Sequence, residues 1–283
     1  MKSNMFKTAS LIVCLILGLN TVKSQTDVSV HFGGAFPLGA FGDQKLDYDR
    51  GVFDISWGGE KNTDKAGAGL GANVGLKLKF NTPSLLQGSG IIATADVFFN
   101  PSNSEVKDFM EDVCEAAGTS DYSYYDYEYT APSYINIPIM VGMNYQTQVA
   151  DKVSLFAEAA VGINIGKTTD LHLFQEIEGT IEQYDPYYDW YDYYDCSVES
   201  NSTWTFETTT SLAFQVGAGL MFSDKFSIGL HYYSLGSQKI KGESKWDRTQ
   251  TIEGDTDYDN ETGKFKYGSI KPAMFTLRLG FHF

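Results

Sequence analysis

The chain has little cysteine, little proline and few cations. Of its 283 residues three are cysteine and seven proline, and 21 lysines and arginines face 36 acids, for a net charge of −15. That balance excludes nucleic acid as a partner and argues against a polybasic membrane contact. Long apolar runs are missing beyond the first twenty residues. No later stretch approaches the roughly 18 apolar residues that a transmembrane helix requires. No nucleotide-binding glycine loop, zinc spacing or helical metal motif occurs.

What is present begins with MKSNMFKTASLIVCLILGLNTVKSQ. Lys2 and Lys7 precede an apolar core from Ala9 to Leu19, and small or polar residues follow, the pattern of a secretory signal peptide cleaved after Ser24. Cys14 has Val13 before it rather than a small residue, so it reads as apolar filler and not as a lipid-anchored cysteine. Residues 1–24 hold three lysines and no acid, so without them the net charge moves from −15 to −18. The two remaining cysteines, Cys114 and Cys196, would sit in an oxidising compartment.

The other end of the chain is more specific. In PAMFTLRLGFHF, Ala273, Phe275, Leu277, Leu279, Phe281 and Phe283 alternate with Met274, Thr276, Arg278, Gly280 and His282. A bilayer-facing strand needs this period of two, because its outer face meets lipid and its inner face a polar lumen. Seven further segments repeat it, for example Leu70 to Phe80, Ile135 to Tyr145 and Leu212 to Phe222. The connections alternate in length. Long gaps run from Leu38 to Ala66, Ser102 to Thr130, Gly166 to Thr208 and Gln238 to Ser269, and short turns lie near Thr82, Thr147 and Ser223. The expected fold is all-β: an eight-stranded antiparallel up-and-down transmembrane β-barrel over residues 25–283, with four long extracellular loops and periplasmic termini.

Several segments resemble the eight-stranded outer-membrane β-barrel family common in the Bacteroidetes, often labelled porin family. They are the Gln25 start, HFGGAFPLGAFGD from His31 to Asp43, YINIPIMVGMNY from Tyr134 to Tyr145, and the Phe281-His282-Phe283 end. The resemblance implies a bacterial outer-membrane location in contact with lipid and lipopolysaccharide. It also implies insertion by the outer-membrane assembly machinery, with Phe283 as the signal. Such families share architecture rather than chemistry, so it names no activity.

Eight strands leave an interior just wide enough for side chains. The inward charges are Lys77, Lys79, Asp96, Glu158 and Arg278, with Lys77 and Asp96 expected to pair between adjacent strands. They read as an ion-paired plug, or alternatively as the lining of a narrow gated pore. Among the histidines, His172 falls in a loop and His282 at the periplasmic rim, so no convergence is expected. Ser29 and His31 share a face without an evident acid, and the chain reads as a non-enzyme.

Thirty-one of the thirty-six acids, but only twelve of the bases, lie in the four long gaps. Two of these gaps carry tyrosine–acid runs. The second has Tyr122, Tyr124, Tyr125 and Tyr127; the third has Tyr184, Tyr187, Tyr188, Trp190, Tyr191, Tyr193 and Tyr194. They are expected to face each other above the lumen, either packing the loops or recognising a glycan, a peptide or another envelope protein. Ser102 to Glu105 reads as a capping box opening a short helix that carries Cys114, and a Cys114–Cys196 disulfide would tie the two loops together. Asp255, Asp257 and Asp259 alternate as weak calcium candidates, without the spacing of a full calcium loop and with no other cofactor implied. The function expected is structural or surface-recognising. The alternatives are an accessory subunit of a larger envelope complex, such as one for secretion or uptake, and a narrow channel.

Overall fold

The structure is a computed structural model, and it describes residues 26–43, 66–82, 87–104, 106–107, 122–185 and 190–283. Residues 1–24, read above as a signal peptide, lie outside them.

Eight strands close the barrel: β1 (Thr26–Pro37), β2 (Gly71–Asn81), β3 (Ser89–Pro101), β5 (Ser133–Ala150), β6 (Val153–Thr168), β9 (Thr209–Phe222), β10 (Phe226–Ser234) and β13 (Ala273–His282). Each pairs with its neighbour in sequence, and β1 closes on β13 from Ser29–His282 to Pro37–Met274. Closure leaves no free edge in the wall. The short connections turn tightly, with positive φ at Lys152 in one and at Ser223 and Asp224 in another.

The alternation read from the sequence sorts the side chains as expected. Val74, Val141, Met143, Val161, Leu212 and Leu230 are more than half exposed on the outer wall, whereas Asn73, Asp96, Glu158, Gln215, Thr276 and Arg278 are buried inside. Aromatic rings line the belt near both ends. Phe32 and Phe226 pack on Phe281, Phe222 packs on Phe226, and Phe214 and Phe275 flank Tyr232. A continuous apolar belt between aromatic girdles is stable against lipid, and in water would be an exposed apolar patch of unusual size.

Three of the four long connections are not irregular loops. They form β4 (Tyr122–Thr130), β7 (Leu171–Asp185), β8 (Trp190–Phe206), β11 (Gln238–Ile252) and β12 (Asp255–Ile270), which pair as a second sheet in the order β12-β11-β8-β7-β4. Alternation again assigns its faces. One face packs Leu171, Leu173 and Phe206 into the same apolar cluster as Phe41, Tyr134, Tyr233 and Met274 of the barrel end, with Tyr127, Tyr129, Trp204 and Phe265 against it. The opposite face is acidic: Glu176 stands directly across from Asp126 on one side and Glu199 on the other.

The expected helix after Ser102 begins one residue later than the capping box implied. Ser104, Val106 and Lys107 are helical, and the Val106 N–H donates to Asn103 Oδ1 at 3.0 Å, so Asn103 is the cap. Ser102 Oγ is diverted to the Pro132 carbonyl at 2.5 Å. The remainder of that stretch, with Cys114, lies outside the described residues.

Candidate functional site

Inside the barrel the expected charges are joined by His31, Asn73, Gln215, His231 and Tyr233. Arg278 Nη2 donates to Asp96 Oδ1 at 2.6 Å, and His31 Nε2 meets the same oxygen at 2.5 Å. Tyr233 donates its hydroxyl to Asp96 Oδ2 at 3.3 Å, and its ring lies 4.7 Å from the Arg278 guanidinium. With the Asn73 amide turned so that its oxygen faces Arg278, it accepts from Nε at 3.2 Å and Nη2 at 3.3 Å. This assembly ties β1, β3, β10 and β13 together through one carboxylate, and β2 joins it through Asn73 and Arg278.

A second assembly centres on Glu158. Lys77 Nζ donates to Glu158 Oε2 at 2.8 Å, Gln215 Nε2 to Oε1 at 3.0 Å, and His231 Nδ1 lies 3.3 Å from Oε1. Lys77 also lies over the Phe156 ring at 5.3 Å. The expected Lys77–Asp96 pair therefore does not form. Lys77 is directly opposite Thr94, and its long stem reaches across the lumen to β6 instead. Lys79 donates to Gln146 Oε1 at 2.9 Å.

Two further expectations are corrected. His31 does have an oriented acid, Asp96. The histidines do converge in part: His31, His231 and His282 line one cavity of about 10 Å³, where His282 Nε2 is 2.9 Å from Ser227 Oγ. That volume suits about one water molecule, which His231 and its neighbours have the polar atoms to hold. A serine, histidine and acid in series are absent among the described residues: Ser29 Oγ donates to the Lys77 carbonyl at 3.5 Å, and Ser227 bonds a histidine that has no carboxylate behind it.

Below these assemblies, toward the short turns, a cavity of about 440 Å³ opens between Asp27, Lys79, Gln146, Asp224 and His282. Above them the lumen is filled by Phe98, Tyr233, Met274 and Leu235, each buried, under the second sheet.

The tyrosine runs lie on that sheet, in one plane rather than face to face. Tyr122 of β4 is level with Gly179 of β7, which is level with Cys196 of β8, so the paired residues 180–185 and 190–195 extend past the start of β4. Tyr127 is half-buried and packs on the apolar cluster, while Tyr193 is 66% exposed. Tyr122, Tyr124, Tyr125, Tyr184, Trp190 and Tyr191 are placed by backbone alone, and Tyr187 and Tyr188 lie outside the described residues. Cys196 is buried and forms no disulfide among the described residues; its expected partner Cys114 lies outside them.

On β12, Asp255, Asp257 and Asp259 occupy alternate positions of one extended strand. Their α-carbons step about 6.6 Å along the strand, so the outer two are about 13 Å apart, beyond what two aspartate side chains span with oxygens at roughly 2.3–2.6 Å from one calcium ion. No group of three acids, histidines or cysteines suited to a metal occurs among the described residues. Phe283 is exposed, and its N–H donates to the Val28 carbonyl at 2.9 Å.

No family profile and no curated protein matches the chain. Solved structures do. Ail, the attachment invasion locus protein of Yersinia pestis, is 13% identical at a TM-score of 0.33, covering 92% of this chain and 100% of its own. A major outer membrane protein from Thermus thermophilus is 10% identical at 0.37, covering 92% and 100%. The outer membrane protein OprG from Pseudomonas aeruginosa is 11% identical at 0.37, covering 92% and 97%. These are similarities of outline, and the barrel assignment rests on the strand pairing above.

Proposed function

We propose that this is an integral bacterial outer-membrane protein of non-enzymatic function, in which the barrel is an anchor and the second sheet a surface-recognition element on the cell exterior. The observation that carries the reading is the division of labour between the two sheets. The barrel interior is occupied by two ion-pair assemblies and an apolar layer. Three of the four long connections, which would be free loops in a simple anchor, are built into one hydrogen-bonded sheet that presents carboxylates and tyrosines to solvent. Rigid elements hold a binding surface more precisely than loops. The Bacteroidetes-type resemblance and the exposed Phe283 fit the same setting, with assembly machinery acting on the terminal strand and lipopolysaccharide beside the sheet. The filled lumen favours an anchor over a narrow channel.

The test combines protease shaving of intact cells with planar-bilayer recording of the purified protein. Cleavage within β7–β8 or β11–β12 on intact cells, with no steady conductance, is the expected result. Hairpins protected in intact cells, or a stable open channel, would overturn the reading.

A further inference from the structure

Among the described residues, β12, the outermost strand of the second sheet, has one paired edge and one open edge. From Asp255 to Thr262 every residue is exposed on both faces of the sheet, and pairing to β11 runs without a shift from Lys241–Lys266 to Ile252–Asp255. The hairpin turns on Glu253 and Gly254, with φ 48° and 88°. A two-residue turn of this kind makes Ile252–Asp255 the first hydrogen-bonded pair, so the odd-numbered residues beyond it bond to β11 and the even-numbered ones point their N–H and C=O outward. An independent contact agrees: the Tyr258 N–H, which this pattern turns outward, is taken by the neighbouring Asp257 carboxylate at 2.9 Å.

Natural edge strands are usually blunted by proline, lysine or a bulge. This segment has none of the three. It carries Asp255, Asp257, Asp259 and Glu261 along one face instead, and among the described residues no ion pair joins them to a cation. A second copy would bring a second row of carboxylates to the same edge. We infer that the open edge of β12 receives an extended peptide segment with lysine or arginine at alternate positions, added as a further strand. This rests on the recognition reading above and names its partner class.

The geometry matches the chemistry. Residues whose backbone bonds the incoming strand are the even ones, so the acids fall at the non-hydrogen-bonded positions, where facing side chains come closest. The incoming carbonyl takes the Tyr258 N–H from Asp257, and the released carboxylate meets the incoming cation.

The test uses the full-length protein in lipid nanodiscs and a short peptide of alternating lysine and threonine, with a peptide of the same composition but blocked lysines as control. Amide hydrogen exchange reads the site. The alternating peptide is expected to protect the amides of Thr256, Tyr258, Asn260 and Thr262. Asp257→Asn combined with Asp259→Asn is expected to weaken binding about tenfold, since exposed charge pairs are individually modest. Asn260→Pro abolishes binding without unfolding the hairpin, because its N–H faces away from β11. Equal binding of the blocked peptide, or protection at the β7–β8 tip instead, overturns the edge assignment and leaves the recognition reading standing. No protection by the alternating peptide, unchanged binding by Asn260→Pro, or edge protection that rises with protein concentration alone also overturns it.

Discussion

Arg278 reaches Asp96 across three strand boundaries, 2.6 Å between Nη2 and Oδ1, and both side chains are almost wholly removed from solvent. A buried pair of this kind gains little over a well-packed apolar pair, but losing one member leaves the other charged and unsolvated. Here Asp96 also accepts from Tyr233 and meets His31, so its removal strands three partners at once.

Asp96→Ala should therefore destabilise the barrel by about 3–5 kcal/mol, read as a shift in the urea midpoint of refolding into lipid vesicles. Replacing both members, Asp96→Leu with Arg278→Met, should recover part of that loss, since His31 and Tyr233 still lack their acceptor. If the single variant unfolds at the wild-type midpoint, the assembly is not holding the lumen together.

The space for this assembly comes from glycine. A Cβ on Gly75 would run into the Asp96 carboxylate and the His31 ring, whereas one on Gly263 of the second sheet would meet only Ser244 Oγ at 3.5 Å. Gly75→Ala should cost about 1–3 kcal/mol through forced displacement of the pair, and Gly263→Ala should be within about 0.5 kcal/mol of neutral. Thermal unfolding of the two variants side by side checks the contrast; equal behaviour would mean the lumen has slack there.

The barrel strands are legible in the sequence because lipid outside and polar lumen inside impose a period of two on each, as in Phe275, Leu277 and Leu279 against Thr276 and Arg278. The identity of the charge partners is not. Lys77 reaches Glu158 on β6, and Arg278 reaches Asp96 on β3, and both choices depend on the stagger of a closed barrel that no single strand encodes. The second sheet escapes the sequence reading for a different reason. Its strands alternate polar with aromatic or acidic residues, and tyrosine and acid together read as loop. Signals are nonetheless present: Leu171, Leu173, Gln175 and Ile177 keep the period of two, and Glu253-Gly254 is a two-residue hairpin turn between Gln238–Ile252 and Asp255–Ile270.

The extended geometry of β12 makes a prediction about metal. Carboxylates spread along a strand attract calcium diffusely but do not chelate it. Millimolar calcium should leave the thermal midpoint unchanged once ionic strength is matched with sodium or magnesium salt. A calcium-specific rise, removed by Asp257→Asn, would show that the hairpin closes around an ion.

The outer wall provides the last test, because it separates a membrane barrel from a water-soluble one. Val161 is 68% exposed near the middle of β6, across from Phe214 of β9, which is also on the outer wall. In a soluble barrel an exposed valine changed to lysine is neutral or helpful, since it trades apolar surface for charge. In a bilayer the same change puts an ammonium at the hydrocarbon midplane, at a cost of about 2–4 kcal/mol. Asn164, three residues on, is fully buried in the lumen and donates to Asn136 Oδ1 at 2.9 Å. Its change to alanine should cost about 0.5–1.5 kcal/mol in either solvent, one buried hydrogen bond, because Asn136 Oδ1 keeps Gln238 Nε2 as a donor at 2.7 Å. Folding of Val161→Lys into vesicles of increasing acyl length distinguishes the two cases. A loss present in bilayers of every thickness places β6 against lipid, and wild-type stability throughout would take the strand out of the membrane wall.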